Sequence, residues 1–443
     1  MGAGMPASRW MALLALAAVC VPAQEGLGRE RRVTLVAVGD VNLNRTRQEV
    51  REDGVYLWGK VVPFDAMFSK VRKLINGDLN FCNLETTVMD NNDAARSEKE
   101  YNFRCHPNAV RAIQKVGFNL MSIANNHMID YGDEGIAQTR EWLNKLSGDR
   151  PLWFAGAGRD IEEASDVSVF KVNGIRFAFG AVSISKAASK KRAGVASVHA
   201  AEPVLKKLKA AKADVRILSM HAGEEKESKP VAVQTKVARM AVDKYDVDIV
   251  IGHHAHVVQG IERRGDGIIF YGLGNFAMRG ARNMGSVGEF RGERDFGLLV
   301  KLDFGFAKKK KKFTLHRLEL LPVYDMHSGP HPFAKEEEAR IRVEAINRFS
   351  SPKYLGKGAQ GIELGFDDGW GIVDFGKKAK DEGRKAKAGR TDGKKAKGEG
   401  RKAKGGKTGG KTNKKSGDKS LDRDREDANE PEPLPELPVS ATE

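Results

Sequence analysis

The chain has 443 residues, of which 40% are hydrophobic, with 75 Lys+Arg against 59 Asp+Glu for a net charge of +16. That is enough to bury the core of one large domain or two. The charge is lopsided: residues 377–420 hold 18 Lys+Arg against 5 Asp+Glu, and residues 421–443 hold 2 against 8. Residues 377–420 alone carry +13 against +9 for the whole of residues 1–376, so the basic pI says more about a tail than about the folded part.

In chain order, Arg9 precedes an apolar run, Trp10 to Val21, that is too short to span a bilayer comfortably and closes on Val21-Pro22-Ala23. Residues 1–23 read as an export signal cleaved after Ala23, placing the protein in the periplasm, the cell envelope or the medium. An uncleaved anchor and lipid attachment at Cys20 stay open, although Ala17-Ala18-Val19 fits the latter poorly. Without the signal, Cys82 and Cys105 remain, either as a disulfide or as two buried thiols.

Val33 to Val38 is a near-continuous apolar run ending in Gly39-Asp40, the pattern of a buried strand that delivers a functional loop. The pattern recurs at Asp78 to Glu85, at Leu120 to Ala124 before Asn125-Asn126-His127, and at Val215 to Met220 before His221. Val247 to Ile251 runs into Gly252-His253-His254-Ala255-His256, and Gly267 to Tyr271 into Gly272-Leu273-Gly274-Asn275-Phe276. Helical spacing fills the intervals at Phe64–Ile75, Asn108–Val116, Gly135–Leu146, Val204–Ala213 and Val231–Lys244. Alternating strands and helices predict an α/β architecture with a largely parallel central sheet, whose ligands gather at the carboxyl ends of strands.

After Phe276, a Gly- and Arg-rich loop from Met284 to Phe296 leads to two extended runs, Gly297–Phe304 and Phe313–Leu320. The lysines 308–312 between them suggest a surface hairpin. A helix over Lys335–Phe349 follows. The boundaries are thus a domain over 33–325, an extension over 326–376 and a tail over 377–443. The tail repeats Lys-Lys-Ala-Lys-like blocks between glycines and is expected to be disordered. It is either a grip for a polyanion or envelope surface or a solubilising segment; nucleic acid is not expected as the partner of an exported chain.

The strand ends gather Asp40, Glu85, Asn126, His127, His221, His254 and His256. Carboxylate, amide oxygen and imidazole together suit one or two divalent ions such as Mn, Fe or Zn. Singly, each has a bland role: Asp40 as a turn cap, Glu85 as a lysine partner, Asn126 as a loop hydrogen bonder, His221 as a core histidine.

Six ordered motifs, Val38-Gly39-Asp40-Val41-Asn42-Leu43, Asn83-Leu84-Glu85, Ala124 to Asp130, His221 to Glu225, Gly252 to Val257 and Gly272 to Phe276, resemble those of CapA-type poly-γ-glutamate capsule proteins over roughly residues 33–280. The resemblance implies a metallophosphatase-like four-layer α/β/β/α sandwich of the calcineurin-like kind. It implies Asp40 and His256 on a first ion, Glu85 as a bridge, and Asn126, His221 and His254 on a second. His127 would be an acid outside the ligand shell, oriented by Asp130, unless Asp130 merely starts a helix. Arg104, unless it is simply an exposed surface residue, and Asn275 are candidate substrate contacts, and the His254-x-His256 spacing turns His253 away.

Asn42 stands where the wider superfamily has a ligand histidine, which bears on the first ion. Implied partners are an anionic extracellular polymer, poly-γ-glutamate or capsule, and membrane components of a capsule-synthesis complex. The implied activity is a metal-dependent hydrolase acting on phosphoester or amide. A general secreted metallophosphoesterase and a non-catalytic polymer-binding assembly factor are the alternatives.

Overall fold

A computed structural model describes residues 30–44, 51–57, 59–279, 296–333 and 335–376. The expected export signal over 1–23, most of the Gly- and Arg-rich loop and the tail over 377–443 lie outside the described residues. Among the described residues no helix is long and apolar enough to cross a membrane.

The elements that position the site are β1 (Arg31–Asn42), β2 (Leu79–Leu84), α1 (Pro107–Val116), β3 (Leu120–Ser122), α2 (Gly132–Asp149), β4 (Trp153–Ala155), β5 (Ser168–Val172) and β6 (Ile175–Ser183). They continue with α3 (Glu202–Ala210), β7 (Val215–His221), α4 (Ala232–Tyr245), β8 (Ile249–His253), β9 (Ile261–Arg264), β10 (Gly267–Phe270), β11 (Asn275–Met278), β12 (Gly297–Ala307) and β13 (Lys312–Tyr324). Four late elements follow: α5 (Glu336–Phe349), β14 (Gln360–Gly361), β15 (Gly365–Asp367) and β16 (Trp370–Asp374).

The strands form two main sheets where alternation alone suggested one. The larger, ten-stranded sheet runs β15-β16-β13-β12-β1-β2-β3-β4, with β11 also pairing β1 and the short strand His331–Pro332 pairing β13. The smaller, seven-stranded sheet runs β5-β6-β7-β8-β10-β9-β14. In both, the ligand-bearing strands are parallel: β1 to β2 to β3 in one, β6 to β7 to β8 in the other. Their carboxyl ends thus open on the same side of each sheet.

Alternate residues of β1 show how the layers form. Val33, Leu35 and Ala37 join a core with Phe177, Phe179, Ile217 and Ile251 of the smaller sheet. Val36 and Val38 face the other way, toward Val110 and Ile113 of α1 and Leu143 of α2. The outer face of the smaller sheet, with Leu218 and Val250, packs on Leu205 of α3 and Ala238 of α4. A strand buried on both faces needs apolar residues at every position, which is why β1 reads as a continuous run and not as an alternation.

Two expectations change. Phe64–Ile75 is not one helix but two short 3-10 turns, Phe64–Phe68 and Arg72–Leu74, which still bury Phe64, Met67, Phe68, Val71 and Ile75. The run over Gly297–Leu320 is the expected hairpin, β12 pairing antiparallel with β13, but it is not at the surface. Strand β12 lies antiparallel beside β1, and Leu298, Val300, Leu302 and Phe304 are fully buried between the sheets. Along this run only the lysines of the turn, Lys308 to Lys312, are exposed. Cys82 and Cys105 are free, buried thiols. Burial alone raises the Cys82 thiol, and burial pushes that of Cys105 up to about 12.

Candidate metal centre

Each ligand candidate sits where a parallel strand ends. Asp40 is near the end of β1, Glu85 follows β2, and Asn126 and His127 lie in the turn after β3. His221 ends β7, and His254 and His256 follow β8. The larger sheet delivers the carboxylates and amides; the smaller delivers the imidazoles of His221, His254 and His256. Asp40, Glu85 and His221 offer ligand atoms within 4.8 Å of one another, all buried.

Two sets of contacts meet at Glu85. In one, His221 Nε2 lies 2.8 Å from Asn126 Oδ1, 3.1 Å from His254 Nδ1 and 3.7 Å from Glu85 Oε1. In the other, His256 Nδ1 lies 3.2 Å from Asp40 Oδ2 and its Nε2 lies 3.8 Å from Glu85 Oε1. His127 Nε2 stands 4.0 Å from the same Glu85 oxygen. All six candidate ligands are therefore brought together. His254 and His256 hold positive φ, 93° and 57°, an uncommon conformation for residues with a side chain and one that clusters at functional sites.

The electrostatics are those of two buried carboxylates among imidazoles. Burial pushes the Asp40 carboxyl up, but its contacts with His253 and His256 outweigh that and hold it well below the usual range. Burial, then the Asp40 charge, push Glu85 well above it. Burial works against charge on His256, yet Glu85 and Asp40 together raise it to about 10. Burial and then His256 depress His254 to about 4, and burial and then His254 lower His221 strongly. Burial also outweighs Asp130 and holds His127 below its ordinary value.

Three oxygens in this setting lack any hydrogen bond: Asp40 Oδ2 and both oxygens of Glu85. Buried polar atoms are nearly always paired, so three orphaned carboxylate oxygens facing imidazoles are the expected fingerprint of a cation site. The residues fit a divalent ion by this test.

The remaining expected site residues fall differently. Asp130 Oδ2 lies 2.7 Å from His127 Nδ1, behind the ring. Asn275 is turned to the cluster's own support: its Oδ1 lies 2.9 Å from His256 Nδ1. Arg104 does not reach toward the cluster. Its guanidinium donates to the carbonyls of Asn91 and Asn92 and lies 5.0 Å over the Tyr131 ring, because the strand pairing of Arg104 with Thr87 aims the side chain at that loop.

His253 does not turn away. As the last residue of β8 it points into the space between the sheets, with Nδ1 3.4 Å from Asp40 Oδ1 and its ring 5.4 Å from that of Phe81. Asn42 folds on its own loop, donating to Asn44 O at 2.7 Å and accepting from Asn44 N at 3.1 Å.

Sequence reading missed Asn83 as a site residue. Fully buried on β2, its Nδ2 lies 2.8 Å from Asp40 Oδ1 and 3.2 Å from His221 Nδ1, so it ties a carboxylate of one sheet to an imidazole of the other. The signal available was a polar residue in phase with Leu79 and Phe81, on the inward face of β2.

Fold and site together define an α/β protein of two packed sheets with a carboxylate–imidazole centre at the strand ends. A family profile described as "Bacterial capsule synthesis protein PGA_cap" matches residues 34–279, more than half of the chain, and the chain belongs to that family. It is 30% identical over 290 residues to a "Capsule biosynthesis protein CapA" of Bacillus anthracis, covering 60% of this chain and 66% of the relative. It is 30% identical over 247 residues to a "PGA biosynthesis protein CapA" of Bacillus subtilis (strain 168), covering 54% and 61%. A "Probable polyglutamine synthesis accessory protein" of Mycobacterium tuberculosis is 29% identical over 214 residues, covering 45% and 55%.

The chain thus spans a little under two thirds of the length of the two CapA relatives. Among solved structures, a phosphatase of Mycoplasma pneumoniae aligns with a TM-score of 0.40 at 13% identity, covering 67% of this chain and 94% of that one. The calcineurin-like phosphoesterase YfkN of Bacillus subtilis aligns with a TM-score of 0.34 at 13% identity, covering 65% and 89%.

Proposed function

We propose that this protein is an exported, CapA-like component in the synthesis, export or processing of an anionic extracellular polymer, acting through a metal-dependent, hydrolase-type site. The observation that carries the chemical part is the buried Asp40–Glu85 pair, in which Asp40 Oδ2 and both Glu85 oxygens accept no hydrogen bond and face imidazoles. A buried carboxylate without a partner is costly, and a divalent cation offsets that cost. Asp40, Glu85, Asn126, His221, His254 and His256 would hold one or two ions, and their donor set suits Mn, Fe or Zn. A divalent ion there supplies Lewis acidity toward a phosphoester or amide.

The chain's own groups do the rest. Asn275 holds His256, and Asn83 spaces Asp40 from His221. His127 presents Nε2 at the edge of the cluster, where it can hold or move a proton at a bound substrate. The polymer assignment is supported by family membership and by the names of the relatives, which refer to capsule and polyglutamate. The basic segment over 377–420 would keep a polyanion or an anionic envelope surface close by.

Elemental analysis of the purified protein beside Glu85→Ala and His254→Ala tests the centre. Bound divalent metal in the parent, lost in both variants, supports it and justifies screening phosphoesters against γ-glutamyl amides. A parent that takes up no Mn, Zn or Fe on dialysis sinks the hydrolase reading and leaves polymer binding. Deleting residues 377–443 tests the tail, since salt-sensitive binding to poly-γ-glutamate should weaken without it.

A further inference from the structure

The His127 ring is held from behind by a clasp that the sequence reading passed over. Three groups of the segment 97–103 close on Asp130. Ser97 N donates to the Asp130 carbonyl at 2.7 Å, Lys99 Nζ to Oδ1 at 2.6 Å and Phe103 N to Oδ2 at 2.7 Å. Asn102 braces the segment by donating to Lys99 O at 2.6 Å and accepting from Ser97 Oγ at 2.7 Å. The Asp130 carboxylate is wholly buried, whereas the Lys99 side chain keeps 35% exposure, so the pair joins solvent to the back of the site. The same ammonium donates to the main-chain oxygen of Asn126 at 2.8 Å.

These contacts determine the state of the imidazole. Lys99 and Phe103 are donors only, so Asp130 acts as an acceptor toward both. Its Oδ2 also lies 2.7 Å from His127 Nδ1, and a carboxylate committed as an acceptor requires the proton of that contact to sit on Nδ1. Nε2 is then the nitrogen turned to the cluster, 4.0 Å from Glu85 Oε1. The Phe103 ring, with its centroid 4.1 Å from that of His127, keeps the imidazole from swinging away.

We propose that Lys99 is a positioning residue. Through Asp130 it holds His127 in a single Nδ1–H tautomer with Nε2 facing the centre, and through the Asn126 carbonyl it fixes the turn that offers the Asn126 side chain to His221. The inference deepens the metal-centre reading and rests on it for the location of the reacting groups. Its readout, the tautomer of one ring, does not require metal.

The experiment uses the full-length protein labelled with 15N-histidine, with the His127 signals identified by their loss in His127→Asn. Long-range proton–nitrogen correlations are then recorded for the parent, Lys99→Met and Lys99→Arg. The expected result is one Nδ1-protonated form in the parent and in Lys99→Arg, and loss of that single form in Lys99→Met. An unchanged tautomer in folded Lys99→Met, even with a lower melting temperature, would reduce Lys99 to a loop anchor and overturn the proposal. So would an Nε2-protonated parent.

If Lys99→Met does not fold, Lys99→Gln, neutral and shorter, is read in its place by the same criteria. Zinc uptake by parent and Lys99→Met is measured alongside. Equal uptake with an altered tautomer supports a role exercised through His127. A parent that binds no zinc removes the metal-centre reading and leaves the tautomer result to decide this one.

Discussion

The two sheets contribute different chemistry to one centre. The larger sheet brings both carboxylates and the Asn126 amide; the smaller brings His221, His254 and His256. Neither sheet alone holds a complete donor set. Asp40 and Glu85 would repel each other unrelieved, and three close imidazoles have no anion to complement. The centre exists because the apolar faces dock, so cation binding at the strand ends should report on packing well below them, where Phe177 and Phe179 meet Leu35 and Phe81.

The largest effect should come from crowding β1 of the larger sheet just before Asp40, where it runs against the Gly274 backbone. A Cβ on Gly39 would lie 1.7 Å from the Gly274 carbonyl, the same oxygen that accepts from Asp40 N at 3.1 Å. Backbone cannot yield as a flexible side chain would. Gly39→Ala should therefore cost about 4 kcal/mol or more and give little folded protein, checked by circular dichroism and yield of soluble material.

Next comes the interface between the sheets. Phe177 is fully buried, its ring 5.5 Å from Phe170 and 6.2 Å from Phe304 of the larger sheet. Phe177→Ala should cost about 3–5 kcal/mol in urea denaturation. It should also weaken zinc binding although it touches no ligand. Unchanged zinc affinity in a destabilised variant would show that the centre does not depend on how the sheets dock.

What was legible in the sequence follows the same division. Apolar runs that close on Asp40, Glu85, Asn126, His221 and His254 announce strand ends because a parallel strand buried on both faces must be apolar throughout and polar only where it emerges. Strand–helix alternation gave the α/β class for the same reason. Periodicity does not say which strands pair, so two sheets looked like one, and Gly297–Leu320 looked peripheral although β12 lies beside β1. The pair β5–β6 was missed despite a local signal. Asn173-Gly174 takes φ of 48° and 76°, the turn that an Asn-Gly step between alternating apolar residues favours. Asn83, His253 and Lys99 acquire roles only from residues far along the chain, and no spacing rule reaches them.

A smaller effect separates the cation from the fold. In the metal-free protein the Glu85 carboxylate is buried with both oxygens unpaired. Glu85→Gln should abolish tight zinc binding, losing more than the roughly 10–100-fold typical of residues that only support a ligand. Without bound metal the same change should stabilise the protein by about 1 kcal/mol or more wherever pH is high enough to ionise Glu85, because it removes a buried charge. The pH dependence fixes the sign. Burial holds Glu85 well above the ordinary carboxylate range, so the folded state binds its proton more tightly than the unfolded chain does. The parent's stability therefore falls as pH rises out of that range, so the advantage of Glu85→Gln should be absent in acid and grow as pH rises above it, as melts at several pH values would reveal.

The smallest expected effect lies on the helix-covered face of the larger sheet. Cys82 and Cys105 are free and buried in that layer, and burial raises both thiols, so neither offers a thiolate. In a Cys20→Ser background, a thiol reagent at mild pH should find no reactive cysteine in the folded protein and two after unfolding. A reducing agent should leave the melting temperature unchanged, since there is no disulfide to cut. Rapid labelling of one thiol in the folded protein would mean that this layer opens readily. The comparison between the sheets would then change, because the sheet carrying Asp40 and Glu85 would be the less securely covered of the two.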